Sequence, residues 1–242
     1  PLWSRGLGDV YKRQLYTLFF IPLISLIPQT GFAKEQLTAE QIKLQKDQIQ
    51  YKAYIPKTYH LFEAVEGDLN KDGTKDLVLI VKATDLSQWV DHEYRGKLDR
   101  NRRGIIILIN QKGSYKKVVQ NLSCFSSENE DGGVYFAPDL WFEIKSNVLN
   151  INYAHGRYGY WGYRFRFENN DMRLIGYEDS SNHGPYVESQ TSINFLTGKK
   201  LYRENMNEDL ESDPKFKETW TKIKVKPIFL SEIKDFNEFD VP

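Results

Sequence analysis

Short runs of aliphatic, β-branched and aromatic residues recur from residue 57 onward, separated by polar turns of two or three residues. This rhythm constrains the fold more than any other feature. Residues 104–110 and 114–119 flank Gln111-Lys112-Gly113, and 140–145 and 148–153 flank Ser146-Asn147. Residues 161–168 and 172–177 flank Asn169-Asn170-Asp171, and 189–196 and 200–203 flank Thr197-Gly198. Such pairs read as β-hairpins, because a tight turn needs backbone conformations that Gly and Asn tolerate. In Tyr163-Arg164-Phe165-Arg166-Phe167-Glu168 aromatics alternate with charges, so one strand face is buried and the other is wet. With the runs 59–65, 77–81 and 219–225, roughly ten strands are expected. The fold class that follows is all-β: an antiparallel hairpin meander, arranged as a sandwich or a partial propeller, with a short N-terminal helix. No motif recurs at the roughly 40–45-residue period of a closed propeller.

The helix opens at Thr38-Ala39-Glu40-Gln41, where Thr38 can cap the first turn while Gln41 reaches back to it, and runs to Gln50. Ile42 and Ile49 share a face and Leu44 lies off it, a narrow apolar stripe that places this helix on the surface. Two polar stretches, 82–103 and 205–218, read as long loops.

The N-terminal residues carry a different message. Ser4 to Gln14 (SRGLGDVYKRQ) resembles the translation of a sequencing-library adaptor, so residues 1–14 are expected to be an artefact of a metagenomic sequence. Residues 15–27 are uncharged, and Gly31 and Ala33 suit the small-residue cleavage site of a secretory signal peptide over 15–33. Thirteen apolar residues fall short of the ~20 that cross a bilayer as a helix, and Pro22 and Pro28 oppose a buried helix. The expected organisation is therefore a helical segment over 34–56 and a single β domain over 57–242, in a secreted or periplasmic bacterial protein with no membrane span after signal cleavage.

Lys and Arg number 33 against 33 Asp and Glu, so no long-range field favours nucleic acid or an anionic membrane. The lone Cys124 excludes an internal disulfide and is expected to be buried.

One stretch has the spacing of a chemical device. In Asp68-Leu69-Asn70-Lys71-Asp72-Gly73-Thr74-Lys75-Asp76, oxygen-bearing side chains recur at every second position and Gly73 permits a sharp turn. Calcium takes six to eight oxygen ligands at ~2.3–2.6 Å, which a short loop supplies only by such a spiral. A helix-loop-helix calcium site needs Glu at position 12, and that position is Leu79, inside an aliphatic run. Residues 67–79 instead resemble the Asp-x-Asn-x-Asp-Gly-x-x-Asp loop of FG-GAP and VCBS-type repeats, in which a strand follows the loop. A weaker likeness, from Ile55-Pro56-Lys57 through Asn194–Lys199, is to uncharacterised secreted bacterial proteins carrying one such loop. The resemblance implies calcium held by Asp68, Asn70, Asp72, the Thr74 carbonyl and Asp76, and it implies nothing about catalysis. The alternative is an Asx-rich turn without an ion.

Aromatics crowd the segment 153–167, interleaved with Gly156, Gly159 and Gly162. Tyr163, Phe165 and Phe167 read as core. Tyr158, Tyr160 and Trp161, with His155 and Arg157 as hydrogen-bond donors, are candidates to stack on a glycan or another cell-envelope polymer. Catalytic signals are weak. The four His are scattered without zinc spacing, and Asp179-Ser180-Ser181-Asn182-His183-Gly184 reads as a turn. The expected function is thus a non-catalytic binding or structural β domain with one structural calcium site. The alternative is an extracytoplasmic hydrolase or glycan-processing enzyme using Asp139, His155 or His183 within or beside the 153–183 region.

Overall fold

Two turns of paired left-handed residues show how the chain reverses. Ser146 and Asn147 have φ of 51° and 62°, and Asn169 and Asn170 have 55° and 58°. Positive φ at both central positions gives a turn whose twist matches that of the strands it joins, so each produces a tight hairpin. The computed structural model describes residues 37–131, 137–207 and 213–242; the expected adaptor segment and signal peptide lie outside them.

The described chain opens with α1 (Ala39–Gln50), capped as expected by reciprocal bonds between Thr38 and Gln41. Then come β1 (Tyr59–Gly67), β2 (Asp76–Ala83), β3 (Trp89–His92), β4 (Gly96–Asp99), β5 (Arg103–Gln111) and β6 (Ser114–Phe125). β7 (Asp139–Lys145), β8 (Val148–Ala154), β9 (Gly159–Glu168), β10 (Asp171–His183), β11 (Tyr186–Asn194), β12 (Lys199–Asn205) and β13 (Phe216–Lys222) follow. Every strand pairing is antiparallel. Strands β1-β2-β5-β6 form one sheet, β3 and β4 a separate hairpin, and β7 to β13 a second sheet in strict sequence order. Among the described residues the architecture is all-β with one α-helix, and no barrel closes.

The two sheets share one core. Val78 and Ile80 of β2 and Ile105, Ile107 and Ile109 of β5 meet Phe142, Leu149, Ile151, Tyr163, Phe165, Met172 and Leu174 of the second sheet. Each such side chain removed from water contributes roughly 1.5–3 kcal/mol. The opposite face of the first sheet is covered too. Leu77, Leu79 and Val81 with Ile106 and Leu108 lie under Tyr51, Ile55 and the flank of α1. Burial on both faces is why 77–81 and 105–109 read as continuous aliphatic runs instead of alternating ones. Cys124 sits in the shared core, fully buried, and burial pushes its thiol pKa up.

Three expectations are corrected. Leu44 turns inward to the Tyr51–Leu61 cluster while Ile42 and Ile49 face solvent. The Gln48 side chain explains this choice, since its Oε1 accepts the Leu61 N–H of β1 and fixes the rotation of the helix. The stretch 82–103 holds the β3–β4 hairpin. The residues 179–183, read as a turn, continue β10, and the reversal falls at Gly184 with φ 63°. A bulge between Leu174 and Gly176 lets that strand run on.

Candidate functional site

The Asp68–Asp76 segment is the connection between β1 and β2, flanked by strands on both sides. Its tip is built from Asx turns. The Asp68 carboxylate accepts the backbone N–H of Lys71 at 2.6 Å and of Gly73 at 3.1 Å. Asn70 Nδ2 donates to Asp72 Oδ2 at 2.8 Å, and Asp72 Oδ1 accepts the Thr74 N–H at 2.8 Å and the Thr74 hydroxyl. The Thr74 hydroxyl, the Asn70 amide and the Thr74 N–H together hold the Asp72 carboxyl below its ordinary range. Lys71 and Gly73 take φ of 68° and 81°, and at Gly73 a side chain would be strained by that backbone.

Asp76 is different in kind. It is fully buried, and its oxygens accept the N–H groups of Leu69 at 2.7 Å, Asn70 at 3.3 Å and Asn110 at 2.9 Å. A carboxylate receiving that many amide bonds organises the backbone around it. Leu69, drawn in beside it, inserts into the core shared by the sheets. The base of the loop also touches the second sheet. A Cβ on Gly67 would lie 2.6 Å from Ile144 Cγ2, so a side chain there would have to displace Ile144 of β7. Asn147, in the β7–β8 turn, donates Nδ2–H to the Asp68 carbonyl at 2.8 Å.

The donor chemistry of the loop fits a hard cation. Asp68, Asn70, Asp72, Thr74 and Asp76 supply carboxylate, amide and carbonyl oxygens, the ligand classes that calcium takes. Among the described residues, no three or more His, Cys, Asp or Glu side chains are grouped to hold a metal ion. An ion here would draw on the amide and carbonyl oxygens as well as the carboxylates.

The aromatic candidates do not share a face. Trp161 pairs across with Tyr153, and the two rings stack at 5.0 Å with 9° between planes. Tyr153 is buried, so Trp161 lies on the core side of the second sheet. Tyr160 alternates to the outer side. His155 and Tyr158 lie in the turn between β8 and β9, their rings 5.4 Å apart. The outer face instead carries Trp141 and Trp220, joined through Asn152, Gly162, Glu178, Ser192 and Leu201 in one cross-strand row. Trp220 is 59 % exposed.

For the alternative enzymatic set, Asp139 begins β7, His155 follows β8 and His183 ends β10. A hollow of about 10 Å³, room for a single water, is lined by Arg173, Leu174, Phe195, Val225, Lys226, Pro227 and Ile228. None of the three candidates lines it.

A charged cluster that sequence reasoning missed lies at the other end of β2. His60, Lys82 and Arg103 stand in one cross-strand row over β1, β2 and β5. Lys82 is fully buried, and its Nζ meets Asp99 Oδ2 at 3.0 Å, the Asp99 carbonyl at 3.2 Å and Glu128 Oε1. Arg103, 3 % exposed, donates from Nε to the Ser126 carbonyl at 2.8 Å and lies 5.1 Å over the Phe62 ring. Burial raises the Asp99 pKa, but bonds from Asn101 and Lys82 outweigh it and hold that carboxyl below its ordinary range. Burial, reinforced by Lys82, pushes the His60 imidazole down. The only sequence sign of this cluster was a Lys at the end of an aliphatic run.

No known protein family, curated protein or solved structure matches this chain.

Proposed function

We propose that the protein is a non-catalytic, extracytoplasmic β-sandwich module with a binding or structural role, in which the β1–β2 loop holds one calcium ion. The observation that carries this reading is the division of labour in the loop. Asp76 is buried and ties the base to the core, while Asp68, Asn70, Asp72 and Thr74 are bonded to one another and to the backbone within one partly exposed turn. Three carboxylates within nine residues repel one another, and a cation bound by Asp68, Asn70, Asp72, the Thr74 carbonyl and Asp76 removes that cost. The ion neutralises charge and stiffens the turn; it performs no reaction. The signal-like leader supports a compartment where an affinity of ~10⁻⁴–10⁻³ M suffices.

The test is a thermal melt in calcium against one in chelator. At a calcium concentration ~100-fold above Kd, binding adds about 2.7 kcal/mol, which moves Tm by roughly 5–10 °C in a chain of this size. Asp68→Ala removes that increment. Identical melting temperatures in calcium and chelator refute the calcium site.

A further inference from the structure

The second sheet ends in a strand that packing barely holds. β13 lies at the edge, and six of its seven residues are exposed. Beyond it burial alternates along the chain, with Ile223 and Val225 half-buried and Lys222, Lys224 and Lys226 exposed, and the Ile223 N–H is bonded to the Gly198 carbonyl at 2.8 Å. Trp220 precedes Lys222 by two residues, so the two share one face of β13 roughly 7 Å apart, and the exposed Lys224 and Lys226 follow at every second residue. Lys199 stands directly across from Lys222.

This array has a cost that no ion pair among the described residues offsets. Like charges directly opposite on neighbouring strands repel. Among the described residues, none of Lys199, Lys222, Lys224 and Lys226 has an ion-pair partner, whereas the nearby Arg203 is matched to Glu218 at 2.9 Å. Lysines on an edge strand do discourage pairing with other chains. That accounts for Lys217 and Lys222, but not for Lys199 on the neighbouring strand, nor for Lys224 and Lys226 beyond the ladder.

We infer that this track, Trp220 with Lys199, Lys222, Lys224 and Lys226, is a binding surface for a linear, carboxylate-bearing polysaccharide. The argument is charge complementarity along a line. Exposed ammonium groups at every second residue suit carboxylates repeated along an extended polymer, and the exposed indole covers the C–H face of a sugar ring. A nucleic acid also offers a linear array of anions, but the chain has a pI near 7.3, and proteins that hold nucleic acid backbones carry a strong basic field. The inference rests on the extracytoplasmic reading above and deepens it, moving the glycan surface from Tyr158 and Trp161 to the sheet edge.

Isothermal titration of the full chain with hyaluronan, in calcium buffer, tests it. Binding is expected at about 20 mM salt and is weaker at about 150 mM, with none to neutral dextran. Lys222→Glu with Lys224→Glu weakens binding at least about tenfold, and Trp220→Ala weakens it several-fold, both at unchanged Tm. Lys116→Glu with Lys117→Glu, on exposed β6 positions, leaves it unchanged. The inference is overturned if hyaluronan does not bind, if the track variants bind like the parent, or if single-stranded DNA binds more tightly than hyaluronan. A calcium-dependent Tm that persists when hyaluronan fails to bind separates this failure from failure of the calcium site.

Discussion

Asn147, in the β7–β8 turn of the second sheet, donates a hydrogen bond to the main-chain carbonyl of Asp68, in the β1–β2 loop of the first, at 2.8 Å. The loop proposed to hold calcium is therefore also a strap between the sheets. The donor, Asn147, has a φ of 62°, which Asn tolerates better than most residues.

Asn147→Gly keeps that backbone conformation and removes only the side-chain bond. The expected loss is about 1 kcal/mol, and Asn147→Ala loses about 1 kcal/mol more because Ala disfavours left-handed backbone. Urea unfolding checks both, and equal stability of the parent and the Gly variant would show that the strap contributes nothing.

Asp76→Asn replaces a buried acceptor of three backbone N–H groups with an amide that must point two hydrogens at donors or at core. About 2–4 kcal/mol should be lost. Faster hydrogen exchange at Leu69 and Asn110 is the local signature to look for.

Lys82→Met leaves Asp99 and Glu128 without the buried ammonium that both face. Removing one member of a buried pair costs roughly 3–5 kcal/mol. Changing Lys82, Asp99 and Glu128 together to apolar residues of similar size should recover much of this. A triple variant no more stable than Lys82→Met would contradict this account of the cluster.

His60 sets a pH dependence. Its folded pKa is depressed from the ordinary 6.5 by burial and by Lys82, so below 6.5 the unfolded chain binds a proton that the folded chain refuses. Its stabilising contribution is complete above pH 6.5 and declines as pH falls toward the folded value. Tm should drop on acidification through that window, and His60→Gln should flatten the drop. The carboxyl of Asp99, held below 3.8, acts in a separate and more acidic window.

Which parts of this were legible in the sequence follows from how local their causes are. The hairpins and the Thr38 cap depend on a few consecutive residues, and they stand where the residue patterns place them. Trp161 shares parity with Tyr163, Phe165 and Phe167, so strand alternation already turned it toward the core, against its reading as a stacking platform. The segment 179–183 misled because Asp, Ser and Asn favour turns in isolation, and hydrogen bonds from two neighbouring strands overrode that preference.

By itself the sequence determined an antiparallel all-β domain with a capped helix and one oxygen-rich loop, since strand periodicity, turn residues and the Asp68–Asp76 spacing all act within about ten residues. Only the tertiary structure decided what those parts are joined to. Asn110 reaches Asp76 from 34 positions away, and Asn147 reaches Asp68 from 79. Strand register places Lys82 between His60 and Arg103, and sets Lys199 against Lys222 beside Trp220. Pairing register and sheet-on-sheet packing bring together residues that no local spacing relates, because the hydrophobic burial driving them has no preferred partner along the chain.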